Sequence, residues 1–333
     1  MKAMFSFLAV LVLILVATLG VSLGNLHFLF GIVIPYLAFV TFVGGFVYRI
    51  IKWGRSPVPF RIPTTCGQQK SLPWIKQDKR ENPTSVFGVI GRMALEIFLF
   101  RSLFRNLKTE LTEGANGPKL SYASAKWLWF GSLVFHWSFL IIIIRHLRFF
   151  LEPVPYFVQV FDSIDGMLQI GLPPVYLTDA FFLLAVTYLF VRRIVIPQVK
   201  YISLAADYFP LFMILSIAIS GILMRYFYRI DIVAVKELAI GLAQLHPVLP
   251  VGIGVIFYVH LFLISSLFAY FPLSKLMHMG GIFMSPTRNM MNNSRMVRHI
   301  NPWNPEVEVH TYVQYEEEFR VKMKKAGIPV EKE

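Results

Sequence analysis

The 333-residue chain is 56% hydrophobic, 15% aromatic and only 15% charged, with formal charge +13 and mean hydropathy +0.60. Its apolar runs reach about twenty residues, the length that crosses about 30 Å of hydrocarbon as a helix. That excludes an ordinary soluble domain and makes the basic charge a matter of membrane topology, with no nucleic-acid partner implied. The single cysteine, Cys66, excludes an intramolecular disulfide and any thiolate iron–sulfur cluster built by this chain alone.

The first span is expected from about Phe5 to Leu23. Lys2 gives it a signal-like start, but the apolar run is too long and lacks an A-x-A site, so a retained helix is expected. A second span, about Leu26 to Ile51, follows at once, with Pro35 as a kink. His27 sits at the hairpin tip as an interfacial residue. Residues 52–125 form a polar segment with twelve Lys/Arg against five acids. Within it VFGVIGRMALEIFLFRSLFRNLK interleaves Arg92, Arg101 and Arg105 with Phe and Leu, as an amphipathic helix on the lipid surface would; a docking face for a partner subunit is compatible with that.

A third span, about Lys126 to Phe150, carries His136 and His146. The loop that follows holds Glu152, Asp162, Asp165 and Asp179 and no Lys or Arg. The fourth span, about Leu177 to Val195, ends in Arg192–Arg193; the fifth runs from about Tyr208 to Phe227 and leads into a mixed loop. The sixth, about Gly252 to His278, carries His260 and His278, and a polar tail with Arg288, Arg295 and Arg298 ends in a short helix closed by Gly327. The fold class is therefore all-α, a polytopic bundle of six transmembrane helices. The basic segments fall on one side, which makes both termini cytoplasmic. The expected divisions are an extra N-terminal helix (1–25), a core (26–280) containing the cytoplasmic loop 52–125, and a cytoplasmic tail (281–333).

Four histidines lie at membrane depth. Ten residues turn a helix by about 280°, leaving His136 and His146 roughly 80° apart, whereas eighteen make five turns and put His260 and His278 on one face. Antiparallel spans pair His136 with His278 toward the cytoplasm and His146 with His260 toward the outside. Ten residues rise about 15 Å and eighteen about 27 Å, so straight helices cannot match both levels; Pro272 is placed to supply a bend. Two such pairs suit the axial positions of two haems. A proton pathway and interhelical hydrogen bonding remain open alternatives. Accordingly a proton-coupled transporter and a structural membrane anchor stand beside the cytochrome reading. Arg145, Arg148, Arg225 and Lys275 flank the haem levels, either as propionate partners or as snorkelling anchors. His246, His299 and His310 lie in loops and the tail. Zinc-protease and phosphate-loop motifs are absent.

The histidine spacing resembles that of the nitrate reductase gamma-subunit family of dihaem cytochromes b, which carries two histidines ten apart and two eighteen apart. His136, His146, His260 and His278 match those positions, over roughly residues 26–280. The stretches IPTTCGQQKSLPWIK, LVFHWSFLIIIIRHLRFF and SKLMHMGGIFMSPTRNMMNNSRMVRHINPWN are similar to the DsrM-type cytochrome b subunits of the sulfite-reduction-associated DsrMKJOP membrane complexes. This resemblance implies two haem b, electron exchange with menaquinone, and location in the inner (cytoplasmic) membrane. It also implies an iron–sulfur partner of the DsrK type, related to heterodisulfide reductase, on the cytoplasmic side. Further partners are the sulfur carrier DsrC and a multihaem cytochrome c. In the family the quinol site lies beside the outer haem, which points to Arg148, Glu152, Asp165 and Asp179; no match to the family's quinone-contacting lysine is found.

Overall fold

The computed structural model describes residues 1–58, 67–114, 117–168, 173–297, 306 and 308–332. Cys66, Arg298 and His299 lie outside the described residues.

Helix α1 (Lys2–Ser22) buries one stripe, Ser6, Val10, Ala17 and Val21, at the spacing one helical face requires. That stripe packs against α9 (Ala205–Ile222) and α11 (Val255–Tyr270), while Leu8, Leu15 and Leu19 point outward. Outward apolar side chains suit hydrocarbon, where helix association rests on close packing and buried hydrogen bonds. Two such bonds fix the start of α1: Ser6 Oγ donates to the Ala205 carbonyl at 2.8 Å and Lys2 Nζ to the Ser203 carbonyl at 3.0 Å.

The second long helix, α2 (Leu29–Gly54), opens with a π turn, Leu29–Val33, just before Pro35. Proline has no N–H to give, and the wider turn absorbs the missing bond. Farther along, a Cβ on Gly45 would lie 2.6 Å from Pro272 Cβ, so glycine is what lets α2 approach the end of α11 so closely.

The segment after α2 departs most from expectation. The helix expected over 86–108 is two pieces, α3 (Val86–Leu99) and α4 (Arg101–Arg105), divided by Phe100 in a left-handed conformation (φ 49). Its arginines do not form a free basic face. Arg92 is 2% exposed and donates to the Glu81 carbonyl at 2.8 Å and to the Arg288 carbonyl. Glu81 also receives Arg101 at 2.9 Å and Arg105 at 2.5 Å. Asn292 N donates to the Pro83 carbonyl at 2.7 Å. Together these bonds staple the loop to the tail. Burial, with Arg288 beside it, pushes the Arg92 guanidinium below its ordinary pKa, and Glu81 and Glu96 pull it back. The all-α class also gains an antiparallel hairpin, β1 (Leu107–Gly114) and β2 (Gly117–Ser124), in register from Leu107↔Ser124 to Gly114↔Gly117.

Helix α5 (Lys126–His146) continues as a tighter turn to Phe149. The acidic loop contains α6 (Tyr156–Asp165) and leads into α7 (Leu177–Val195). A short α8 (Pro197–Ile202) precedes α9, which ends in a π turn, Leu223–Tyr228. The expected mixed loop contains α10 (Ile232–Ala243), capped by Asp231, which accepts from Val233 N at 2.9 Å. The sixth expected span is shorter: α11 stops at Tyr270, and Phe271–Leu273 and Lys275–Met277 form tight turns around Pro272 before α12 (His278–Gly281). The tail adds α13 (Pro286–Asn289) and α14 (Tyr312–Lys325), capped by Thr311 and followed by Gly327 at φ 71.

Among the described residues five helices are long and apolar enough to cross a membrane: α1, α2, α5 with its turn, α9 with its turn, and α11 with its turn. Helix α7 runs between the same two ends but carries Asp179, Arg192 and Arg193 near its termini. At one end Arg193 donates to Ser203 Oγ at 2.9 Å and Lys275 pairs with Asp207 at 2.6 Å. At the other, Tyr36 OH donates to the Leu242 carbonyl at 3.0 Å and Lys236 pairs with Glu152.

Arg92→Met removes a buried cation and strands two carbonyls that it satisfied. Destabilisation on the order of 3 kcal/mol is expected, seen as a lower thermal midpoint in detergent and faster trypsin cleavage near Arg288. An unchanged midpoint and digest would show that the staple does not hold the tail.

Candidate functional site

The site is built from α5, α11 and α12. Helix α5 packs mainly on α6 and α7, while α11 packs mainly on α1, α2 and α9. The two helices are thus tied to different neighbours, and their histidines meet across the space between them. His136 and His278 have ring centres 6.0 Å apart and planes at 87°. At the other end the same two helices carry His146 and His260. The structure thereby brings His136 beside His278, as the antiparallel reading matched them.

Each of the four rings is held by Nδ1. His136 Nδ1 lies 2.7 Å from the Ser132 carbonyl, His146 Nδ1 2.7 Å from the Ile142 carbonyl, and His278 Nδ1 2.9 Å from the Lys275 carbonyl. A carbonyl only accepts, so Nδ1 carries the proton in all three. His260 Nδ1 lies 2.8 Å from Ser220 Oγ, which itself donates to the Ile217 carbonyl at 3.0 Å and therefore accepts from the ring. Among the described residues no hydrogen bond reaches any of the four Nε2 atoms. The same tautomer is selected four times, with the metal-binding lone pair left on Nε2. Gly221 lies beside His260, where a Cβ would meet the ring Cε1 at 3.4 Å.

The chemistry of this donor set is specific. Among the described residues no three His, Cys, Asp or Glu side chains converge as a metal site would need. Pairs suit a metal that brings its other ligands with it, as the iron of a porphyrin does. With metal–imidazole bonds of about 2 Å on each side, two opposed imidazoles have ring centres roughly 6 Å apart. The His136–His278 separation fits that.

The flanking cations are committed to other groups. Arg145, 6% exposed, pairs with Asp165 at 2.9 Å and Asp179 at 2.7 Å. Arg148 pairs with Asp162 at 3.2 Å, and Lys275 with Asp207. Arg225 donates to the Pro174 carbonyl at 3.2 Å, but its Nε is buried without a hydrogen-bond partner. Among the acids, Asp165 is enclosed, accepting from Thr178 N at 2.8 Å and Thr178 Oγ1 at 2.5 Å, whereas Glu152 is exposed and pairs with Lys236. His27 stacks edge-on against Tyr258, 5.2 Å away, and takes no part in either pair.

One cation escaped the sequence reading. Arg49, in α2, has a buried Nε with no hydrogen-bond partner, and the adjacent Ile50 packs where a Cβ on Gly280 would be, two residues from His278. The signal was an arginine inside the last turns of the second span.

Residues 83–299 match the nitrate reductase gamma subunit family. The chain belongs to that family. It is also 46% identical over 284 residues to an Archaeoglobus fulgidus protein described as an Hdr-like menaquinol oxidoreductase cytochrome b-like subunit, covering 83% of this chain and 84% of the relative. An Archaeoglobus profundus protein of the same description is 38% identical over 288 residues, covering 84% of each. With its apolar helices, this member of the gamma-subunit family is a multi-pass membrane protein. The family match takes in all four paired histidines and begins after α1 and α2.

Ser220→Ala leaves His260 Nδ1 without its acceptor. Any iron held by Nε2 of that ring would then be lost about 10–100-fold more readily, measured as transfer of added haem to apomyoglobin. Wild-type retention would show that the hydroxyl does not orient the ring.

Proposed function

We propose that the chain is the cytochrome b subunit of a membrane-bound quinone oxidoreductase, holding two haem b on His136/His278 and His146/His260. The observation that carries this reading is the uniform Nδ1 anchoring of four histidines, paired across the bundle with Nε2 free. Haem b supplies one-electron exchange at iron, and two histidine ligands leave no position for oxygen. The chain's own residues fix ring tautomer, level and spacing, and His260 is buried among apolar side chains. Arg225 and Arg49, each with a buried unpartnered Nε, are the cations best placed to receive a propionate at the two ends.

The names of the Archaeoglobus relatives support menaquinol as the reductant and a heterodisulfide-reductase-like assembly as the setting. Electrons would pass between menaquinone and an iron–sulfur subunit on the His136/His278 side. The finer placement rests on the sequence resemblance: a DsrM-type subunit in a DsrMKJOP complex of dissimilatory sulfur metabolism, with a DsrK-type partner, a multihaem cytochrome c and, at one remove, DsrC. Six crossings in the cytoplasmic membrane put the loop 52–125, Arg192–Arg193 and both termini inside, in keeping with their basic charge. Quinol oxidation beside His146 would release its protons on the acidic outer side. There Glu152 and Asp162 are accessible to take them, and Asp165 is sealed.

Alanine at any one of His136, His146, His260 or His278 should remove one haem and leave the other, read in reduced-minus-oxidised spectra. Variants at the His146/His260 pair should also lose reduction by a menaquinol analogue. Retention of both haems in any one variant would break the pairing.

A further inference from the structure

Beyond the two histidine pairs, the most heavily built polar feature is the buried cluster where α5 meets α6 and α7. Arg145 Nε lies 2.9 Å from Asp165 Oδ2 and its Nη2 2.7 Å from Asp179 Oδ1. Tyr176 is sandwiched between two guanidiniums, with Arg145 Cζ 3.6 Å and Arg225 Cζ 3.9 Å from its ring centre. Its hydroxyl donates to Asp162 Oδ1 at 2.6 Å and accepts from Arg148. Tyr226 OH donates to Asp179 Oδ2 at 3.1 Å and accepts from Tyr176 N at 3.1 Å. Arg145 thus sits between Asp165 and Asp179 at the buried centre, and Arg148 pairs with Asp162 at a half-exposed edge, so neutralising Arg145 or Asp179 leaves a partner charge uncompensated. Such a cluster is more than a loop fastener, because Arg145 is the residue next to His146, Arg148 is two residues beyond it, and Asp179 is held to Arg145.

We propose that the Arg145–Asp165–Asp179 cluster is a positioning and charge-balancing device that sets the redox potential at His146/His260. The inference rests on the cytochrome reading. Reduction adds one negative charge at the iron, so a nearby cation favours the reduced form and a nearby carboxylate opposes it; low dielectric magnifies both effects. Arg145 and Asp179 therefore pull in opposite directions, and their pairing holds the potential between the extremes. Arg145 is consequently spoken for, and it acts on the site through the field and through the placement of His146.

The test is a potentiometric titration of the purified full chain, following each haem optically. Asp179→Asn is expected to raise the potential of the His146/His260 haem, and Arg145→Gln to lower it. The haem on His136/His278 should stay where it is in both. Asp179→Glu and Arg145→Lys keep the charges and should restore the wild-type value, which guards against variants that merely loosen the fold. Movement of both neutralising variants in the same direction would mark a purely structural role and overturn the proposal. So would charge-conserving variants that shift as far as the neutral ones, or potentials that do not move. Absence of any b-type spectrum from the unmodified chain would instead bring down the cytochrome reading itself.

Discussion

The structure depends on the need of an imidazole in a low-dielectric interior to satisfy its polar atoms. In water an unpaired ring nitrogen costs little; inside a membrane bundle it costs several kcal/mol, on the order of the penalty for any stranded polar group. Three of the four histidines meet the need within their own helix or turn, and His260 borrows a serine from α9. In each case the protonated nitrogen is consumed by the scaffold. The other nitrogen is left without a hydrogen bond among the described residues, and the proposed ligand role rests on that division.

Matching the two pairs in height is a second problem, and Pro272 solves it. From His260 to Tyr270 the chain is continuous helix, and 270 − 260 equals 146 − 136, so the regular part of α11 rises as far as α5 does between its histidines. The remaining residues to His278 pass through two short 3-10 turns, Phe271–Leu273 and Lys275–Met277, after which His278 stands beside His136. Gly45 then lets α2 close against the bend. The eighteen-residue spacing that looks mismatched in a straight helix is a ten-residue helix followed by a folded elbow.

The two ends are finished differently. Beyond the His146 pair, an ionic cluster with Arg145 and Asp165 buried at its centre ties the acidic loop to α5 and α7. Near the His136 pair, the basic loop is knotted to the tail through Arg92, Glu81 and Asn292. That difference marks the limit of what could be read from sequence. Span positions, the histidine pairs and the tail helix were legible because length, helical period and capping residues are local signals. The knot was not, because Arg92 and Arg288 are far apart in the chain, and an arginine among apolar residues reads equally as surface or core. The hairpin was legible in principle: Leu107, Thr109 and Leu111 alternate with Lys108, Glu110 and Thr112, and Asn116–Gly117 is a turn dipeptide. Arg145 and its two aspartates lay in view as separate charges, and only the fold shows them as one unit.

The most direct measurement is haem stoichiometry on the purified chain, by pyridine haemochrome with an oxidised low-spin spectrum alongside. About two b-type haems per chain, both six-coordinate and low-spin, are the expected result for two histidine pairs presenting Nε2. A folded, haem-supplied preparation with no haem would contradict the central claim. So would high-spin iron with an open coordination position, since one histidine of a pair would then be idle.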